Sequence, residues 1–206
     1  MSRPDLIRRG RRIEYFTVVW NGLEAIVSIV AGFFAGSVSL LGFGLDSAIE
    51  VASGTALLWR IHHDLDPSRR NQVEHSTLRY VGACFIALAL YIAYESCSTL
   101  IRHEAPQSSI PGIIIAAAAV IVMPMLATAK RRVAAGIGSG AMHADSKQAD
   151  FCACLSAILL GGLLLNAVLR WWWADAVAGL LMIPIIVREG VAELRGKNCC
   201  GGCNTE

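Results

Sequence analysis

Two carboxylates stand four residues apart in 45-LDSAIE-50, inside a stretch otherwise suited to lipid. At about 100° and ~1.5 Å per residue, Asp46 and Glu50 fall ~40° apart on one helical face and ~6 Å apart along its axis. Both can reach one cation. Ser39, Gly42 and Ser53 share the stripe, so one side of the segment is polar while the rest suits lipid or helix contact. An acid at mid-membrane depth is costly unless it is paired, protonated or bound to a cation. A carboxylate satisfied by nearby hydroxyls is the plain structural alternative, but an acidic pair holds helices together poorly.

A second polar stripe lies in 143-HADSKQADFCACLS-156, where Gln148, Cys152 and Ser156 fall within about 60° of Asp145 on a helix. Lys147, Asp150 and Cys154 take the opposite face, and an i,i+3 ion pair between Lys147 and Asp150 is expected there. If the two segments run antiparallel, Asp46 meets the level of Cys152 and Glu50 that of Gln148. Carboxylates, an amide and a thiolate could then surround one divalent ion, with Asp145 a further candidate. Thr17, Asn21, Glu24, Ser28 and Gly32 form a third stripe. Glu24 could be an outer partner of the ion, a proton carrier or a polar helix contact. Cys84, Tyr91, Glu95 and Ser98 also align, and read as solvated bundle polarity. Outside the apolar segments, His62, His63, Asp64, Asp66 and His75 offer metal ligands or form a plain solvated loop. Cys199, Cys200 and Cys203 in 199-CCGGC-203 could take a soft ion.

Composition shows what scaffold carries these residues. The chain has 206 residues, 55% hydrophobic and 17% charged, and a mean hydropathy of +0.53; this is an integral membrane protein, all-α, with the lipid bilayer as its solvent. Apolar runs of ~20 residues, enough for a bilayer core, fall at about 14–36, 38–60, 78–101, 110–128, 141–166 and 172–188. This divides the chain into a basic N-terminal segment (1–13), a six-span bundle (14–190) and a short Cys-containing tail (191–206). The linkers read as 37–39, 61–77, 102–109, 129–140 and 167–170, with Pro124 and Pro184 able to kink their helices and the pairs Gly32/Gly36 and Gly136/Gly140 reading as helix contacts.

The net charge of +2 is uninformative, but its placement is not. Arg3, Arg8, Arg9, Arg11, Arg12, Arg60, Arg69, Arg70, Arg79, Lys130, Arg131, Arg132, Arg188, Arg195 and Lys197 share one side of the bundle, against Arg102 and Arg170 on the other. This bias puts both termini in the cytoplasm and 171-WWW-173 in the outer interfacial belt. A full-length first apolar run with no small-residue cleavage site is not a cleavable signal. Seven cysteines, four inside spans and three in the tail, argue for free thiols or metal ligands over disulfides. Nucleic acid is not an expected partner.

Together, 41-LGFGLDSAIEVASG-54, 141-AMHADSKQADFCACLS-156 and 172-WWADAVAGLLMIPIIVREG-190 resemble the cation diffusion facilitator (cation efflux) family of divalent metal transporters, over nearly all six spans. The resemblance implies a transport site at Asp46 and Glu50 in span two and at Gln148 and Cys152 in span five. The family usually has His and Asp at the latter two positions, so its zinc preference need not carry over unchanged. Zinc is the first expectation for the substrate; cadmium, cobalt, iron and manganese also fit. The family commonly adds a cytoplasmic metal-binding and dimerising domain after span six, where this sequence has about eighteen residues. A homodimer would then form through the membrane part. The segment with His62, His63, Asp64, Asp66 and His75 resembles the place of a secondary metal site.

The expected function is alternating-access export of a divalent metal from the cytoplasm across the cell (inner) membrane, with protons as counter-ion because both compete for the same donors. The alternative is a membrane-embedded metal sensor or scaffold using the same site without turnover. An organic-cation exporter could also use the acids. No enzyme is expected, since no nucleophile and base pair of suitable type lies inside the spans.

Overall fold

The computed structural model describes residues 3–62, 67–103, 106–137 and 140–195, and every regular element among them is a helix. The elements are α1 (Arg3–Ala35), α2 (Val38–His62), α3 (Pro67–Arg102), α4 (Ile110–Ile137), α5 (Gly140–Leu169) and α6 (Ala174–Leu194). Proline opens α3 at a position where its missing N–H costs nothing. α4 and α6 run through Pro124 and Pro184 without ending.

Several helices outrun the apolar segments that announce them. The expected linker 129–140 is largely the last turns of α4, residues 67–77 are the first turns of α3, and 167–169 belong to α5. The basic segment 1–13 is likewise helical from Arg3. Hydropathy finds only the part of a helix that lipid covers. Backbone hydrogen bonding continues past it, and Arg, Lys, Glu and Gln are good helix formers.

α1 stops at Gly36, whose φ of 65° supplies the left-handed residue of a C-terminal cap. The Ser37 amide then donates to the Gly32 carbonyl at 3.0 Å, the long bond of a Schellman motif. Gly36 is therefore a turn residue and not half of a helix-contact pair. Gly32 does make a contact: a Cβ there would lie 2.9 Å from the Leu41 amide of α2.

Around the bundle, α1 packs on α2 and α4, α5 on α4 and α6, and α3 on α6 and α2. These contacts close a ring in the order α1, α2, α3, α6, α5, α4, and α2 also reaches across to α6 and α5. The interior is filled by Leu40, Phe43, Phe85, Ile92, Met123, Leu159, Met182 and Ile186, all buried. The outside is apolar too, with Val19, Ile26, Phe33, Phe34, Ile121, Met125 and Val168 exposed, as a lipid-facing surface requires. Among the described residues, four helical stretches are long and apolar enough to cross a membrane: Arg8–Ala35, Arg79–Arg102, Ile110–Gly136 and Asp145–Leu169. In α2 and α6 the apolar stretch is broken by acids, Asp46 and Glu50 in one and Asp175, Glu189 and Glu193 in the other.

Candidate functional site

The acids on α2 point into the bundle on the side where α2 meets α6 and α5. Asp46 and Glu50 are both buried, and α5 brings Cys152 to them. One ligand atom from each of Asp46, Glu50 and Cys152 lies within 4.8 Å of the others. Gln148, one turn along α5, lines the same cavity, which has a volume of about 10 Å³ and an apolar lining of Phe85, Phe151, Leu155, Ile185 and Ile186. That is room for a single water or ion. Two carboxylates, a thiol and an amide around such a space form a donor set for one divalent cation of borderline softness.

Asn21 donates from Nδ2 to Oε2 of Glu50 at 2.6 Å, fixing that side chain from α1. Glu24 is fully buried, where its Oε1 accepts from Trp20 Nε1 at 2.6 Å and its Oε2 from Ser47 Oγ at 3.4 Å. It makes polar contacts within α1 and to α2, beside the cavity and not in its wall. The third stripe thus serves to hold the first.

Asp145 finds its partner on another helix. It pairs with Lys130 of α4, Nζ to Oδ2, at 2.5 Å, and Lys130 reaches Glu14 of α1 at 3.3 Å. Lys130 is 1% exposed, so it is an interior cation and not a loop charge. Asp150 does not pair with Lys147 along α5. Arg131 Nη2 of α4 takes both of its oxygens, at 2.7 and 2.8 Å, because the close α4–α5 contact offers a better-placed partner. Glu95 is half-buried.

Sequence reasoning missed three groups besides Lys130. Glu14 belongs to the α1 stripe, seven residues before Asn21. Asp175, in the first turn of α6, spends its carboxylate on α2: it accepts from Ser37 Oγ at 2.6 Å, from the Val38 amide at 2.8 Å and from the hydroxyl of Ser39. An acid is well placed at those free N–H groups. Glu189 of α6 lines the cavity itself. Helical angle alone cannot reveal a partner on another helix.

Cys84, Cys97, Cys152 and Cys154 are free thiols. Trp171 and Trp173 stack at 5.0 Å, and Trp172 packs on His103 at 4.7 Å. His62 and His75 fall in α2 and α3, but their side chains lie outside the described residues, as do His63, Asp64, Asp66, Cys199, Cys200 and Cys203.

Residues 15–196 match the model of the cation efflux transmembrane domain, which takes in all four candidate ligands. The cation-efflux pump FieF of Cronobacter sakazakii is 27% identical over 168 residues, 77% of this chain and 54% of that protein. An uncharacterised transporter of Methanocaldococcus jannaschii is 24% identical over 180 residues, 84% of this chain and 62% of its own length. The chain thus spans between about half and three-fifths of the curated relatives it matches. The family is one of transporters, not of enzymes. A helical bundle with buried acids facing a thiol across its middle, matched over most of its length by that domain, belongs to the cation efflux family of membrane transporters.

Proposed function

We propose that this chain carries a divalent metal cation across a membrane, binding it between α2 and α5 with Asp46, Glu50, Gln148 and Cys152. The observation that carries the reading is the convergence of three ligand atoms, from Asp46, Glu50 and Cys152, to within 4.8 Å beside a cavity the size of one ion. Buried anionic groups this close repel one another and are poorly solvated, so a dication or protons must neutralise them. That competition is the basis of exchange: an arriving metal displaces protons, and returning protons release it. The basic residues gathered at one end of the bundle support an orientation with both termini cytoplasmic; six spans and export through the inner membrane complete the proposal. Zinc is the leading substrate; the thiol extends the range to cadmium, with cobalt, iron and manganese as further tests. The two membrane-embedded copies of a homodimer would each hold a complete site.

Alternating access means that α2 and α5 part first toward one side and then toward the other, while the ion stays with the four ligands. Asp46 and Glu50 supply charge, Cys152 supplies a soft donor once deprotonated, and the Gln148 carbonyl completes the shell. The experiment is metal flux in proteoliposomes loaded with a metal-sensing dye, comparing the native chain with Asp46→Asn and Glu50→Gln. Each variant is expected to reduce zinc flux at least about a hundredfold, since each removes one of two charges from a desolvated site. Unchanged flux of every metal would refute the assignment. Binding without more than one ion moved per chain would instead identify a sensor.

A further inference from the structure

The cavity of the transport site has one more carboxylate in its wall, Glu189 of α6. It is 7% exposed, yet its carboxylate makes no hydrogen bond or ion pair with any described residue. Phe85, Ile185 and Ile186 share the cavity wall with it. A carboxylate so placed is costly, and helix packing gains nothing from it. α2 and α6 start level, where Asp175 caps α2. From there, at ~1.5 Å per residue, Asp46 lies about 12 Å inward, Glu50 about 18 Å and Glu189 about 21 Å. α2 and α6 run the same way, so their side chains lean alike and Glu189 stays ~3 Å beyond Glu50 along the bundle. It is within Coulombic reach of Asp46. Arg188, Lys147 and Glu193 are near enough to act on its charge. It does not join the 4.8 Å cluster of Asp46, Glu50 and Cys152.

We propose that Glu189 is a further cation-binding carboxylate, set on the basic-end side of the Asp46–Glu50–Cys152 cluster, which takes the divalent ion first and passes it to the cluster. The proposal rests on the transport reading above. A dication leaving water must exchange its hydration shell for protein ligands. A carboxylate ahead of the cluster lets that exchange proceed in steps, with an anionic oxygen present at each. Glu189 also gives the site a third carboxylate, which a helix pair bearing Gln148 and Cys152 does not provide.

Zinc is the probe. Flux in proteoliposomes and equilibrium zinc binding in detergent are measured for the native chain, Glu189→Gln and Glu189→Asp, with Asp46→Asn as the cluster control. Glu189→Gln is expected to raise the half-saturating zinc concentration about tenfold or more, as loss of a supporting ligand does, and to leave maximal flux within about threefold. Glu189→Asp, which keeps the charge, should recover most of the loss; Asp46→Asn should abolish flux. If Glu189→Gln does not purify as a monodisperse species, Glu189→Leu, apolar like its surroundings, replaces it with the same expectation. A half-saturating concentration within about twofold of native, or an Asp variant no better than Gln, overturns the proposal. If the native chain moves no metal, the transport reading fails separately, and the binding measurement alone then decides Glu189.

Discussion

Lys130 is the most demanding single residue in the bundle. Its ammonium is 1% exposed and meets Asp145 at 2.5 Å and Glu14 at 3.3 Å, joining α4 to α5 and α1. Lys130→Met keeps the length and apolar stem of the side chain and removes only the charge. Two carboxylates then face each other with no cation between them; the Glu14 side chain is 2% exposed and that of Asp145 18%. Breaking a buried ion pair from one side costs about 3–5 kcal/mol. For a chain of this size each kcal/mol moves the melting temperature by ~2–4 °C, so a fall of about 6–20 °C is expected. Adding Glu14→Gln and Asp145→Asn removes the stranded charges and should bring the triple variant back to within about 5 °C of native, because a neutral replacement of a whole buried network is often tolerated. The assay is thermal unfolding of detergent-purified protein, followed by tryptophan fluorescence and by loss of the monodisperse size-exclusion peak. A single variant melting within about 2 °C of native, or a triple variant no better than the single, would show that Lys130 is not held as described.

Three further outcomes are expected. Asp175→Ala leaves the Ser37 hydroxyl and the Val38 amide without their acceptor; a loss of about 2–3 kcal/mol for a charge-assisted cap should appear as a lower melting temperature, with Ser37→Ala milder. Gly82→Val should disrupt the α3–α6 contact, since a Cβ at 82 would sit 2.8 Å from the Gly190 carbonyl and 2.9 Å from the Leu194 amide, both unable to yield; about 1–3 kcal/mol of overpacking is expected, whereas Gly22→Ala, with nothing within 4 Å, should be tolerated. Cys152→Asp combined with Gln148→His should lower the ratio of cadmium to zinc flux, because a hard oxygen and an imidazole replace a thiolate and an amide; an unchanged ratio would remove both residues from the ligand set.

The site was legible in the sequence where periodicity decides it. The four-residue spacing of Asp46 with Glu50 and of Gln148 with Cys152 gives two stripes, and antiparallel pairing of their helices sets the register that places Cys152 beside the acids. The helical class was equally plain from the apolar runs. Helix ends were not, because the turns beyond the lipid are held by backbone bonds and polar helix formers that hydropathy ignores. Partners across helices were also hidden. Asp145 and Asp150 were read along α5, yet Lys130 and Arg131 of α4 claim them. Lys130 looked like one of a run of surface charges, and only the convergence of α1, α4 and α5 shows it to be interior. Glu189 was passed over for a similar reason: in 188-REG-190 it reads as the polar end of a span, and nothing local shows that α6 turns it toward α2.

At the end of the bundle that carries the α1–α2 turn, a continuous seam of hydrogen bonds joins four parts of the chain. Asp175 of α6 holds Ser37, the Ala35 carbonyl two residues earlier receives the Gln107 amide at 2.8 Å, and the neighbouring Pro106 carbonyl receives Nδ2 of Asn166 from α5 at 3.0 Å. The stitches run from α6 through the turn and the α3–α4 connection to α5, so no helix mouth can widen at this end without unpicking at least one of them. The two neutral stitches, at Gln107 and Asn166, are each worth only about 0.5–1.5 kcal/mol net. They are where the seam would part most cheaply, and Asn166→Ala is the smallest cut that would loosen it.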